Sequence, residues 1–113
     1  MARRNRSPDI EASSGNVFAD LGLRDAVELD TKVRLAVALN RLLTARHLTQ
    51  VAAASRLSIN QPKVSALRNY KLDGFSVERL MTFLTALGSD VEIRIRPRKR
   101  SAGRIIVQAA YRV

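Results

Sequence analysis

Cysteine is absent from this 113-residue chain, so disulfides, thiolate chemistry and cysteine-bound zinc are excluded, a usage that suits a reducing cytosol. Histidine occurs once, at His47, which leaves nothing for a histidine-rich metal site. Its place near a helix end marks it as an exposed residue. Aromatic side chains are few, and Phe18, Phe75, Phe83, Tyr70 and Tyr111 are too scattered to form a stacking platform for single-stranded nucleic acid. They read as core or edge residues. Acidic pairs such as Asp25 with Glu28 come without a histidine, cysteine or glycine-rich loop beside them, so they read as helix-start charges. No apolar run approaches the ~20 residues of a membrane helix. The opening "MARRNRSPD" is basic, but no apolar segment of a secretory signal follows it. The expectation is a soluble, cytoplasmic, non-enzymatic protein with no metal site, no cofactor and no membrane partner.

What the chain has is positive charge. Twenty Lys and Arg stand against ten Asp and Glu, a net charge of +10 and a pI near 11.4. Such a balance in a small chain points to an anionic partner, nucleic acid first, with an acidic protein or a membrane surface behind it. The excess is uneven: residues 1–48 carry 8 basic and 6 acidic side chains, residues 49–113 carry 12 and 4. The anion-binding face is therefore expected in the later part of the chain. The length fits one compact domain with a small core, which association with a second copy would help to stabilise.

The expected organisation is a flexible basic tail over 1–14, a helical domain over 15–88 and a C-terminal strand region over 89–113 that serves as a dimerisation element. In "SSGNVFADLGL", Val17, Phe18, Leu21 and Leu23 are candidate anchors that fold a short segment back onto the core. From Arg24 to Arg46, Val27, Val33, Leu35, Val37, Leu39, Leu42 and Leu43 recur at helical spacing, predicting one long amphipathic helix. Thr49 is placed to cap a short alanine-rich helix, "QVAAASRL", whose small residues allow another helix to approach closely.

"SIN" is then a turn, and "QPKVSALRN" a third helix. Proline is tolerated in the first turn of a helix, where its missing N–H would have no partner, so Pro62 marks a start with Asn60 as the N-cap. Gly74 can supply positive φ in the exit "NYKLDG". Ser76 caps a fourth helix, "VERLMTFLTALG", with Val77, Leu80, Met81, Leu84 and Leu87 as its apolar stripe and Gly88 as its stop. "DVEIRIRP" alternates strictly, with Val91, Ile93 and Ile95 on one face and Glu92, Arg94 and Arg96 on the other, the pattern of a half-buried strand. Its partner is either "RIIVQAA" in a hairpin or the same strand of a second subunit. The run "RPRKRS" fits a DNA-contacting arm or a solvated link equally, and the Arg94 and Arg96 face could meet an acidic partner. The fold class expected is mostly α, a compact bundle of four to five helices with a short C-terminal β-strand or hairpin.

With Val64 and Leu67 turned inward, the third helix presents Gln61, Pro62, Ser65, Ala66 and Asn69 outward, with Lys63 and Arg68 on its flanks. From Gln50 to Leu72 there is no acidic residue to repel phosphate. This chemistry suits the DNA major groove, which admits one helix and presents hydrogen-bonding base edges. Gln61 can bond a base edge, and the surfaces of Pro62 and Ala66 can touch a thymine methyl. Lys63, Arg68 and Lys71 would hold phosphates on either side. Gln50, leading the preceding helix, can meet a phosphate through its side chain or nearby amides. The candidate DNA-binding set is thus Gln50, Asn60, Gln61, Pro62, Lys63, Ser65, Ala66, Arg68, Asn69 and Lys71.

The stretch "TQVAAASRLSINQPKVSALRN" resembles the helix-turn-helix of the Xre family, the class of phage Cro and repressor proteins, through Gln50, Ala54, Leu57, Ile59, Gln61, Val64, Ser65 and Leu67. The resemblance implies that Ala54 lets the two helices cross, that Ile59, Val64 and Leu67 form the packed side, and that Gln50 and Gln61 meet DNA. One departure is Ser58, at a turn position often filled by glycine. From about Ser14 to Arg98 the chain is also similar to HigA-like antitoxins of that class. That similarity implies a homodimer that binds double-stranded DNA, represses its own operon and neutralises a RelE-like or HigB-like ribonuclease toxin. An interaction protein whose DNA binding is secondary, and a regulator without a toxin, remain the alternatives.

Overall fold

The computed structural model describes residues 17–110, with side chains described from Arg24 onward. Four α-helices follow one another: α1 (Val17–Ala45), α2 (Gln50–Leu57), α3 (Gln61–Arg68) and α4 (Val77–Ala86). The chain divides within α1 into two units, residues 1–30 and 31–113. The expected basic tail lies outside the described residues.

In the first unit, Val17–Asp30 is continuous helix. Residues 17–23, "VFADLGL", are therefore the opening turns of α1, and the side chains of the candidate anchors lie outside the described residues. The lone Gly22 costs a helix only about 1 kcal/mol, too little to separate the two stretches. Val27 and Leu29 are exposed.

The second unit contains the core. Leu39, Leu43, Val64, Leu67, Leu80 and Leu87 are fully buried, drawn from α1, α3, α4 and the residue following α4. From α2 the core takes Ala53, Ala54 and Leu57, and the two alanines let α2 lie close against its neighbours. Phe75 and Phe83 close one side of the core in an edge-to-face pair, centroids 5.9 Å apart.

Capping defines each short helix. Thr49 Oγ1 accepts from the Ala52 N–H at 3.1 Å, Asn60 Oδ1 from the Lys63 N–H at 2.9 Å and Ser76 Oγ from the Arg79 N–H at 3.0 Å. Pro62 sits in the first turn of α3, the position its geometry prefers.

All four helices also stop in the same way. Leu48 donates to the Leu43 carbonyl, Ile59 to Ala54, Lys71 to Ala66 and Ser89 to Leu84, each spanning the six-residue loop of a Schellman motif. The residue just before each of these donors is left-handed: His47 (φ 53), Ser58 (φ 57), Tyr70 (φ 58) and Gly88 (φ 86). Gly88 thus takes the stop role its position foretold, and His47 is exposed just past the end of α1. The exit after α3, however, takes its positive φ at Tyr70 and not at Gly74. The six-residue loop closes at Lys71, before Gly74 is reached.

Beyond α4 the described residues form neither helix nor strand. The expected hairpin between residues 90–96 and 104–110 is not formed. Val91 and Val107 pack against the core, whereas Ile93, Ile95, Ile105 and Ile106 are exposed. A strand exists only with a partner for its backbone groups, and these two segments do not supply one another. Among the described residues, no helix is long and apolar enough to cross a membrane.

Candidate nucleic-acid interface

The candidate interface is built from α2, the turn after it, and α3, all within the second unit. The turn closes as expected of a helix-turn-helix, because Ser58 adopts the left-handed conformation (φ 57, ψ 44) that glycine most often fills. Ile59 then packs on the core and Asn60 starts α3. The direction of α3 is set by three residues of the turn.

On α3 the inward pair is Val64 and Leu67, at 1% and 0% exposure. Gln61, Pro62 and Asn69 are exposed, while Ser65 and Ala66 are half-buried. Ala66 also rests against the core, so its outward methyl surface is partial. The exposed edge is led by the Gln61 side chain at the first turn. Neither α2 nor α3 carries an acid in its first turn, whereas α4 carries Glu78. The positive ends of the α2 and α3 dipoles are thus left uncompensated, which favours anions there.

Gln50 and Gln61 are brought into contact: Gln50 Nε2 donates to the Gln61 backbone carbonyl at 2.9 Å. The bond braces the leading end of α3 against the leading end of α2 and leaves the Gln61 side chain outside it. A cleft of about 350 Å³ between these helices is lined by Thr49, Gln50, Ser65, Arg68 and Asn69, among others. Asn69 folds its amide back on α3, donating to the Ser65 carbonyl at 2.9 Å.

The cations differ in how firmly they are held. Lys63 lies with its Nζ 5.4 Å from the centre of the Phe75 ring, half-buried. Arg68 donates from Nη1 to the Asn40 carbonyl at 3.2 Å and from Nη2 to Thr44 Oγ1 at 3.1 Å. These partners are neutral, so the Arg68 charge is positioned without being cancelled. Lys71 is exposed beyond the α3 stop.

Asn40 is the residue that composition and spacing missed. It is 8% exposed on the buried stripe of α1, and its Nδ2 donates to the Leu67 carbonyl at 3.1 Å. Its Oδ1 lies 3.5 Å from Arg68 Nη1. Asn40 thereby fixes the trailing end of α3 while Gln50 fixes the leading end. The signal was available: a lone amide between Leu39 and Leu43 on an otherwise apolar face needs a partner.

A family model described as a helix-turn-helix domain matches residues 17–96. Among curated proteins, "Putative antitoxin HigA2" of Mycobacterium tuberculosis is 34% identical over 61 residues, which is 54% of this chain and 60% of that protein. The chain thus spans less than two thirds of that relative's length. A solved structure described as "Putative XRE Family Transcriptional Regulator" is 66% identical, covers 76% of this chain and 99% of its own, and superposes with a TM-score of 0.70.

Proposed function

The chain belongs to the helix-turn-helix domain family, and from that premise we propose that it is a sequence-specific regulator of transcription that binds double-stranded DNA as a homodimer. The observation that carries this reading is the exposed polar edge of α3, led by Gln61 and braced at both ends, by Gln50 and by Asn40. An α-helix held this way, with an uncompensated positive end and no acid from Gln50 to Leu72, fits the width and chemistry of the major groove.

In this reading Gln61 bonds a base edge, Pro62 and Ala66 meet thymine methyls, and Ser65 and Asn69 lie along the groove. Asn60 starts the helix at the DNA surface, and Gln50 meets the backbone. Lys63, Arg68 and Lys71 bind phosphates on either side. The protein acts in the cytoplasm, has no catalytic role, and represses from a palindrome whose half-sites lie one helical turn, about 34 Å, or a multiple of it apart. Residues 15–88 form the DNA-binding part, 89–113 the associating part, and the basic residues of 1–14 solubilise the chain.

A gel shift on the upstream region of the protein's own gene tests the reading. Wild type should shift it, and a Gln61→Ala, Lys63→Ala double variant should not at the same concentration. Equal binding by both would sink the proposal.

The likeness to an antitoxin favours a second role, an operon-autoregulating antitoxin that neutralises a RelE/HigB-like ribonuclease toxin. A small basic reading frame beside the gene whose product co-purifies with this protein would support it. If no such product is captured, the regulator without a toxin stands.

A further inference from the structure

Seven of the twenty Lys and Arg lie between Ile93 and Val113, a stretch without a single acid. The interface on α2 and α3 uses none of them. Six, namely Arg94, Arg96, Arg98, Lys99, Arg100 and Arg104, fall within the described residues, and all six are exposed. Arg94 has an ion pair, with Glu92 at 3.9 Å, and among the described residues the other five have none.

This charge is carried on a loop tied down at both ends. Val91 and Val107 pack against the core, and every residue from 92 to 106 between them is exposed. The whole loop belongs to the second unit, the one that contains α2 and α3. The Glu92–Arg94 contact is the i, i+2 pairing of an extended chain. Pro97 disfavours a helical Arg96, and the chain bends at residues 99–101, about Arg100.

We propose that this loop is a second DNA contact, in which Arg96, Arg98, Lys99 and Arg100 bind the phosphates of the duplex flanking the site that α3 reads. The inference rests on the reading of α3 as a DNA-binding helix.

The composition of the loop selects its occupant. A protein interface draws its affinity from buried aromatic and aliphatic anchors, and "RPRKRSAGR" holds no apolar residue larger than proline. The large apolar residues, Ile93, Ile95, Ile105 and Ile106, lie towards the two ends of the loop and not among the four cations. Single-stranded nucleic acid is held by stacking on aromatic rings, and there is no aromatic residue between Phe83 and Tyr111. A duplex backbone asks only for positive charge, because it presents one phosphate per ~1.7 Å of axis.

The tether selects the place. Seven residues lead from either anchor to the bend, a reach of about 23 Å at ~3.3 Å per residue. Half a turn of DNA is about 17 Å. The bend can therefore meet phosphates beyond the groove that α3 enters. Anchoring at both ends also lowers the ordering cost of the loop below that of a free tail with equal charge.

The test measures log K against log salt on two duplexes, one ending with the palindrome and one carrying about ten further base pairs, one helical turn, on either side. Wild type is compared with a full-length variant carrying Arg96→Gln, Arg98→Gln, Lys99→Gln and Arg100→Gln. On the short duplex Lys63, Arg68 and Lys71 supply the contacts, so the two proteins should bind alike, which also checks that the variant folds and assembles. On the long duplex the wild-type slope should steepen by about 3 units or more, since two new contacts per protomer make four per dimer at about 0.9 each. The variant's slope should not change with length, and at low salt it should bind the long duplex about tenfold or more weaker than wild type. A variant that gains as much from the flanks as wild type does, or a wild type that gains nothing, would overturn the loop contact and leave base reading by α3 standing. A variant weakened equally on both duplexes would overturn it as well, because its charges would then act away from the flanks. A wild type that binds neither duplex would overturn both readings.

Discussion

The turn between α2 and α3 makes the sharpest stability prediction, because Ser58 holds a conformation that ordinary residues avoid. Its φ of 57 and ψ of 44 place it in the left-handed region, where an L-residue's Cβ crowds the following carbonyl at about 1–2 kcal/mol. Glycine has no Cβ and escapes that crowding, but it loses about 0.4–1 kcal/mol through the greater freedom of the unfolded chain. The Ser58 side chain is exposed, so Ser58→Gly removes little else. The net expected gain is about 0.5–1 kcal/mol, which in a domain of this size raises Tm by roughly 2–8 °C. Ser58→Val should move the other way by about 1–3 kcal/mol, since a β-branched residue is a genuine outlier at positive φ. Urea and thermal unfolding of the three proteins by circular dichroism give both numbers. A Ser58→Gly protein no more stable than wild type, together with a Ser58→Val protein that loses nothing, would show that the turn does not require the left-handed residue.

Asn40→Ala removes the buried bond to the Leu67 carbonyl and the Oδ1 contact with Arg68, keeps the backbone carbonyl that Arg68 also uses, and should cost about 1–3 kcal/mol, read as a lower urea midpoint with unchanged slope. A loss under about 0.5 kcal/mol would mean the Asn40 amide does not hold the trailing end of α3. Asn60→Ala should cost about 1 kcal/mol by leaving the Lys63 N–H without its acceptor, while Asn60→Asp should retain most of the stability, both by thermal unfolding. If the three cations of each protomer bind phosphate, a plot of log K for DNA against log salt should have a slope of about −5. Lys71→Ala should then make that slope shallower by about 2 units.

What the sequence makes legible depends on whether a local rule acts alone. The three short helices have side-chain caps at Thr49, Asn60 and Ser76, and local chemistry alone determines such caps, so these helix starts could be read directly. The helix ends could not, because three of the four left-handed residues are His47, Ser58 and Tyr70, which carry no glycine signature. Their conformation follows from hydrogen bonds that close only when Leu48, Ile59 and Lys71 reach back to the preceding turn. Val64 and Leu67 were identified from helical spacing, which is a property of the helix itself. The contacts of Gln50 with Gln61, and of Asn40 with Leu67 and Arg68, join segments far apart in the chain, and no periodicity encodes them. The alternation at 91–96 was legible as a strand pattern, but a strand is a property of two segments, and the described residues contain only one of them.

The central claim is that the leading edge of α3 reads bases. It is tested most directly by measuring, at one salt concentration, the affinity of wild type and Gln61→Ala for the operator and for every single base-pair change within one half-site. The expected result is that wild type loses about 1–3 kcal/mol at particular positions, and that Gln61→Ala loses its discrimination at one of them while keeping it at the others. A Gln61→Ala protein that weakens uniformly across all sequences, or that discriminates every base as wild type does, would contradict the assignment.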